Sequence, residues 1–196
     1  MLSNLLIVLL VFVIISFAIF LVSLLLFYLS GFISLMFGAP YIPLSRKYIR
    51  KILSFGNISS NDTLYDFGCG DGRILISGVS DFNVLKAVGY EIAPWPYLKT
   101  LFSIKLKRLK KISIFRKNFL KADIGQATFI YLYLFIKLVD KVAYKIAREG
   151  IPGTKILCVQ FPIDTNKHTE FELLKSTKID NLTIYLYKLK PRDSSK

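Results

Sequence analysis

Between residues 66 and 72 the chain reads Asp66-Phe67-Gly68-Cys69-Gly70-Asp71-Gly72, two acids interleaved with three glycines. Glycines in such a run permit positive φ and let a ligand come close to the backbone. A pyrophosphate site asks for G-x-G-x-x-G with a helix N-terminus aimed at the anion. The spacing here is G-x-G-x-G, and carboxylates at Asp66 and Asp71 would repel a pyrophosphate. They suit a ligand that carries a positive charge and an amino acid moiety. Cys69 is small enough to pack inside the loop. A further acid, Glu91, stands 23 residues beyond Gly68, where a carboxylate can accept both hydroxyls of a ribose.

These residues need particular elements to hold them. Residues 63–66 read as a buried strand that runs into the glycine cluster, and 72–79 as the helix after it. A second strand at 85–91 ends on Glu91. Residues 95–109 are helical in character, 112–116 form a short strand, and 128–135 are β-prone with Tyr131, Tyr133 and Phe135 at alternate positions. A helix at 138–149 stops at Gly150 and Pro152. A strand follows at 155–161, and 171–179 with 182–190 form a hairpin. Strands alternating with helices imply an α/β fold with a mostly parallel seven-stranded sheet, covered on both faces, and an antiparallel C-terminal hairpin. No internal repeat is present, and residues 191–196 are expected to form a disordered tail.

The string Asp66-Phe-Gly-Cys-Gly-Asp-Gly-Arg73 resembles motif I of the S-adenosylmethionine-dependent methyltransferases with the Rossmann-like fold. Pro43-Leu-Ser45, Val88-Gly-Tyr-Glu91-Ile-Ala-Pro94-Trp95 and Phe161-Pro162 narrow the resemblance. They are similar to the membrane-anchored protein lysine methyltransferases of mitochondria, which modify the ADP/ATP carrier and the ATP synthase c subunit, and to their prokaryotic relatives. The resemblance spans roughly residues 39–190. It implies S-adenosylmethionine as cofactor, with Gly68, Cys69, Gly70, Asp71 and Gly72 forming the loop around its methionine part, Asp66 facing its ammonium and Glu91 its ribose. Residues 41–45, including Tyr41, Pro43 and Ser45, would fold over the cofactor and line the entry for a lysine. Asn118 stands where an acid usually touches the adenine amino group. Gln160 replaces an arginine, and Tyr131-Leu-Tyr133-Leu-Phe135 replaces a Gly-x-Pro. Tyr131 and Tyr133 are candidates to line a substrate channel by cation–π contact, although alternating aromatics on a strand also read as core. Trp95 is read either as a cover for the adenine face or as packing alone.

The charges are segregated. All 27 basic and 13 acidic side chains follow residue 45, for a formal net charge of +14. Between residues 5 and 29, 21 of 25 residues are Leu, Ile, Val or Phe. As a helix this run would be roughly 37 Å long, against a hydrocarbon core of about 30 Å. It is too long for a signal peptide and no basic residue precedes it, so it reads as a retained single-pass anchor in the lipid bilayer. Arg46, Lys47, Arg50 and Lys51 follow it, which places the C-terminal domain in the cytoplasm. The expected organisation is an anchor at 1–30, a membrane-proximal, cofactor-covering connector at 31–51, and a methyltransferase domain at 52–190.

No acid occurs between Glu91 and Asp123, while Lys99, Lys105, Lys107, Arg108, Lys110, Lys111, Arg116, Lys117 and Lys121 are basic. Three readings are open: a solvated face, contact with anionic lipid headgroups, or RNA. No RNP-type motif accompanies the run, and with an anchor present no nucleic acid is expected. Several classes are excluded. With 53% hydrophobic residues the chain is not disordered, and with only Cys69 and Cys158 it is not a disulfide scaffold. No metal centre is expected, since zinc needs about four clustered ligands. His168, the single histidine, is expected at the surface of a loop. The reading is a methyltransferase acting on a lysine of a protein at the membrane. A small or lipid-like acceptor and a non-catalytic cofactor-binding scaffold are the alternatives.

Overall fold

The computed structural model describes residues 2–36 and 44–192. Seven strands form one sheet in the order β3-β2-β1-β4-β5-β7-β6. Strands β1 (Thr63–Phe67), β2 (Lys86–Tyr90), β3 (Ile112–Phe115), β4 (Phe129–Leu132) and β5 (Lys155–Val159) run parallel. The closing hairpin, β6 (Phe171–Ile179) and β7 (Leu182–Leu189), is antiparallel and joins through β7 to β5. All five residues of β1 and all four of β4 are buried. Central parallel strands are covered on both faces and so lose the in–out alternation of an exposed sheet.

On one face, Tyr65, Phe67, Ile130, Leu132 and Ile156 pack with Val139, Val142, Ala143 and Ile146 of helix α5 (Ile136–Glu149). On the other, Leu64, Phe129, Tyr131 and Leu157 meet α2 (Arg46–Phe55) and α3 (Arg73–Phe82). The chain winds outward from β1 through β2 to β3, then returns to β4 on the opposite side. That reversal opens a crevice beyond the carboxyl ends of β1 and β4, where open α/β sheets bind ligands. At the other end of the strands a polar tie closes the sheet. Asp62 accepts from Thr128 Oγ1 at 2.9 Å, from Ser59 N at 2.8 Å and from Lys155 Nζ at 2.9 Å.

Several elements differ from their expected extents. The apolar helix α1 runs Leu2–Met36, through Gly31 and past the apolar run ending at residue 29. The segment 31–51, expected as a connector, therefore contains the last turns of α1 and the first turn and a half of α2. The periodicity of α2 was there to be read: Ile49, Ile52 and Leu53 fall at helical spacing and are its buried face. Strand β4 stops at Leu132, where its pairing with β5 ends at Leu132↔Cys158. Tyr133 and Phe135 thus lie in the turn toward α5. His168 is not at the surface. It is 1% exposed, with Nε2 2.7 Å from Asp140 Oδ1 and its ring edge-on to Tyr144, and it clamps the loop after β5 to α5. Arg192 donates to the carbonyls of Arg148 and Gly150, and residues 193–196 of the expected tail lie outside the described residues.

Gly89 of β2 has no room for a side chain. A Cβ there would stand 2.5 Å from Leu75 Cδ1 and 2.8 Å from Cys69 Sγ. Gly89→Ala is expected to destabilise the fold by about 1–3 kcal/mol through overpacking, read as a lowered denaturation midpoint of the full chain in detergent. An unchanged midpoint would refute the close packing.

Candidate functional site

The glycine loop leaves β1 by three left-handed residues, Gly68 (φ 84°), Gly70 (φ 55°) and Gly72 (φ 74°). Gly68 N and Cys69 N both donate to Tyr90 O, at 2.9 and 3.0 Å, which folds the loop back over the end of β2. Gly72 caps α3 and abuts Thr100, whose Cγ2 would lie 2.4 Å from an added Cβ. The Thr100 hydroxyl in turn donates to Gly70 O at 2.7 Å from a fully buried position. Thr100 was not singled out in the sequence. Its signal was a polar residue on the inward face of the helix α4 (Pro94–Leu106).

Glu91 is 9% exposed and both its oxygens are already engaged. Oε2 accepts from Gly70 N at 2.9 Å and Oε1 from Ala93 N at 2.8 Å. One carboxylate thereby joins the glycine loop to the start of α4. Burial raises its pKa, and these backbone donors oppose the rise. Asp66 is buried more deeply. It pairs in register with Gly89 on one side and Tyr131 on the other, at the ends of the central strands. Burial, reinforced by Glu91 and Asp71, pushes its carboxyl well above the ordinary range.

Asp71 is not open to a ligand in the way Asp66 is. Arg73 grips it through two hydrogen bonds, Nε to Oδ1 at 2.7 Å and Nη2 to Oδ2 at 2.6 Å, and Lys99 Nζ stands 3.6 Å away. Arg73 also donates to Leu44 O, which ties the chain entering α2 to the loop. The loop arginine, whose role the sequence left unstated, therefore neutralises one acid and anchors the segment before α2. Cys69 is buried against Gly89, with its thiol pushed well up by burial and then by Asp66. It fills space.

Tyr131 is 3% exposed, and its hydroxyl is the one buried side-chain polar atom without a hydrogen-bond partner among the described residues. Burial, then the neighbouring Asp66, holds its pKa far above the ordinary tyrosine value. Tyr133 is half-buried beside the same cluster. Asn118 caps a short 3-10 turn, Phe119–Lys121, its Oδ1 accepting from Leu120 N at 2.9 Å. Trp95 is 36% exposed, and its backbone N–H donates to Ser30 Oγ of α1 at 2.8 Å. Ser45 is an exposed residue at the start of α2. Tyr41 and Pro43 lie outside the described residues.

The ANTKMT methyltransferase domain family matches residues 66–170, which run from Asp66 to the loop before the hairpin. A protein-lysine N-methyltransferase of Saccharolobus islandicus (strain REY15A) is 35% identical over 149 residues, which are 76% of this chain and 92% of that protein. This chain belongs to that methyltransferase family. Its fold is shared more widely. The RNA methyltransferase from Salinibacter ruber, solved with S-adenosyl-L-homocysteine, superposes with a TM-score of 0.70 at 22% identity, covering 79% of this chain and 98% of that one. A Streptococcus pneumoniae putative tRNA (m1A22) methyltransferase superposes with a TM-score of 0.64 at 17% identity, covering 78% and 73%. The chain is an S-adenosylmethionine-dependent methyltransferase with a Rossmann-like sheet.

The residues at the crevice fit that cofactor. A buried carboxylate at Asp66 suits an ammonium, an unpartnered hydroxyl waits at Tyr131, and a Cβ on Gly68 would meet nothing nearer than 3.6 Å. A cationic ligand favours the ionised form of Asp66, so below the raised pKa its binding must expel a proton. Affinity for S-adenosylmethionine is expected to rise with pH from the ordinary carboxyl range and then level off. The fold without cofactor is expected to show the opposite trend, losing stability as pH rises through the same window, because ionised Asp66 is the form that burial disfavours. Calorimetry in buffers of different ionisation enthalpy reads the proton release. An Asp66→Asn variant with the wild-type pH slope would rule out this assignment.

Proposed function

We propose that this chain is an anchored protein-lysine N-methyltransferase whose acceptor is a protein at the membrane surface, with residues 52–190 as its catalytic domain on the cytoplasmic side. The observation that carries the reading is the pairing of Asp66 with Tyr131, a buried carboxylate beside a buried, unpartnered hydroxyl at the carboxyl end of the sheet. The family relative named as a protein-lysine N-methyltransferase supports lysine as the acceptor. Helix α1 supports the location: residues Asn4–Ile33 are long and apolar enough to cross a membrane, with a mean hydropathy of 3.5. The four basic residues that follow it at 46, 47, 50 and 51 support the cytoplasmic orientation.

When bound, S-adenosylmethionine supplies an activated methyl group on a sulfonium, so the protein's task is alignment and desolvation. In this reading Asp66 holds the ammonium, the Gly68–Gly70 backbone cradles the methionine part and Glu91 receives the ribose hydroxyls. The engagement of Glu91 with Gly70 N and Ala93 N fixes its oxygens before any ligand arrives. Asn118 would serve the adenine edge. The side-chain oxygen of Asn118 already caps Leu120 N, which leaves its amide NH2 group to face a base. A lysine amine must be neutral to react, and an apolar site lowers its pKa by disfavouring the ammonium. The Tyr131 hydroxyl is a polar group available to orient that amine, with Tyr133 beside it.

Two measurements test this. Tyr131→Phe is expected to stabilise the cofactor-free chain by about 1 kcal/mol, because an unpaired buried hydroxyl is lost, while slowing methyl transfer about tenfold or more. Unchanged transfer would remove Tyr131 from the site. Methyl-labelled S-adenosylmethionine is then incubated with the chain and its native membranes, which are separated into protein and lipid fractions. Label released as methyl-lysine on hydrolysis of the protein fraction supports the proposal. Label confined to lipid favours the second reading, a lipid-like acceptor, which the apolar helix beside the site equally permits.

A further inference from the structure

Helix α4 carries apolar residues where a soluble helix would carry polar ones. Pro94, Pro96 and Thr100 face the sheet and are buried. The opposite stripe is Trp95, Leu98, Phe102 and Leu106, at 36%, 43%, 68% and 70% exposure. These positions, spaced three, four and four apart, lie on one side of a helix. Lys99 and Lys105 border the stripe, and Lys107, Arg108 and Lys110 follow at its end, all exposed. An apolar ridge edged by lysines is the pattern of a helix lying in a membrane interface.

The anchor says what covers that ridge. Helix α1 packs on α4, and Ser23, Leu26, Ser30 and Ile33 are the shielded stripe of its C-terminal half. Serines at a helix contact let two backbones approach closely. Ser30 is 6% exposed, and its hydroxyl accepts from Trp95 N at the first turn of α4 while donating to Leu26 O at 2.7 Å. Phe27, Tyr28, Leu29 and Phe32, on the other sides of α1, remain exposed. The first turn of α4, where the ridge begins, is therefore tied to the C-terminal half of an apolar helix whose other sides stay exposed.

We propose that α4 lies in the membrane surface, with the Trp95–Leu98–Phe102–Leu106 ridge among the lipid acyl chains and its lysines on anionic headgroups. The proposal rests on α1 being a membrane anchor, and goes further by fixing the domain's pose. Glu91 and Ala93 immediately precede α4, so the crevice opens next to the bilayer. The acceptor lysine then belongs to a segment close to the headgroups rather than to a domain far from them.

The chain has a single tryptophan, which makes the test direct. The full chain, and a Trp95→Phe/Phe102→Trp variant that moves the reporter to the centre of the ridge, are reconstituted into phosphatidylcholine vesicles with and without phosphatidylglycerol. Brominated acyl chains quench fluorophores within lipid and iodide quenches those in water. Strong bromine quenching with weak iodide quenching at both positions, increased by phosphatidylglycerol, is the expected result. Adding Leu98→Glu and Leu106→Glu should reverse the two quenchers. Iodide quenching without bromine quenching overturns the proposal. So does shielding from both quenchers, which would mean that a protein, such as a second copy of the chain, covers the ridge. Alkaline carbonate extraction reads the anchor separately: a chain that resists extraction but shows no bromine quenching is anchored with α4 free of lipid.

Discussion

A carboxylate enclosed at the end of the central strand is the constraint around which the rest is arranged. Asp66 cannot be ionised there without cost, because burial and two neighbouring acids oppose its charge. Every adjacent group is accordingly committed elsewhere. Arg73 and Lys99 take up Asp71, the backbone of Gly70 and Ala93 takes up Glu91, and Thr100 pins the loop carbonyl. Among the described residues, what stays uncompensated at this site is one acid and one hydroxyl. The glycines serve the same loop: all three take positive φ, and Gly72 has no room for a side chain against Thr100.

Helix α4 links this site to the apolar helix α1. Its N-terminus receives the backbone reach of Glu91, its inner face supplies Thr100, and its first turn is tied to Ser30 of α1. A tether and a cofactor site are often independent parts of a chain. In this protein the apolar helix α1 and the glycine-loop site share one element, α4.

Much of this was legible from residue order because it rests on local rules. An uncharged run of leucine-like residues declares a long apolar helix, uninterrupted apolar runs declare buried parallel strands, and acids before and inside a glycine loop argue against a pyrophosphate. The strands at the ends of the sheet were found nearly to the residue. Helix α2 was missed although its period is clear, because flanking basic residues and an apolar leader drew the reading toward a connector. His168 was misjudged since a histidine in a polar loop looks solvated until Asp140 and Tyr144 are brought to it from 28 and 24 residues away in sequence.

Sequence alone determined the classes of chemistry and environment: a cationic, ribose-bearing ligand, a mostly parallel sheet, an apolar helix ahead of a basic domain. These are properties of residue type and short spacing, and they survive without knowing who neighbours whom. Only the tertiary structure decided which acid is available. Asp66 and Asp71 are both acids of the glycine loop in the sequence, and become a buried acid and an arginine-bound strut once the loop closes, while Glu91 becomes a backbone clasp. It also decided that Gly89 must be small, that the Tyr131 hydroxyl has no partner among the described residues, and that the apolar face of α4 is left bare beside α1. Burial and hydrogen-bond satisfaction are set by contacts between distant segments, and no local pattern carries them.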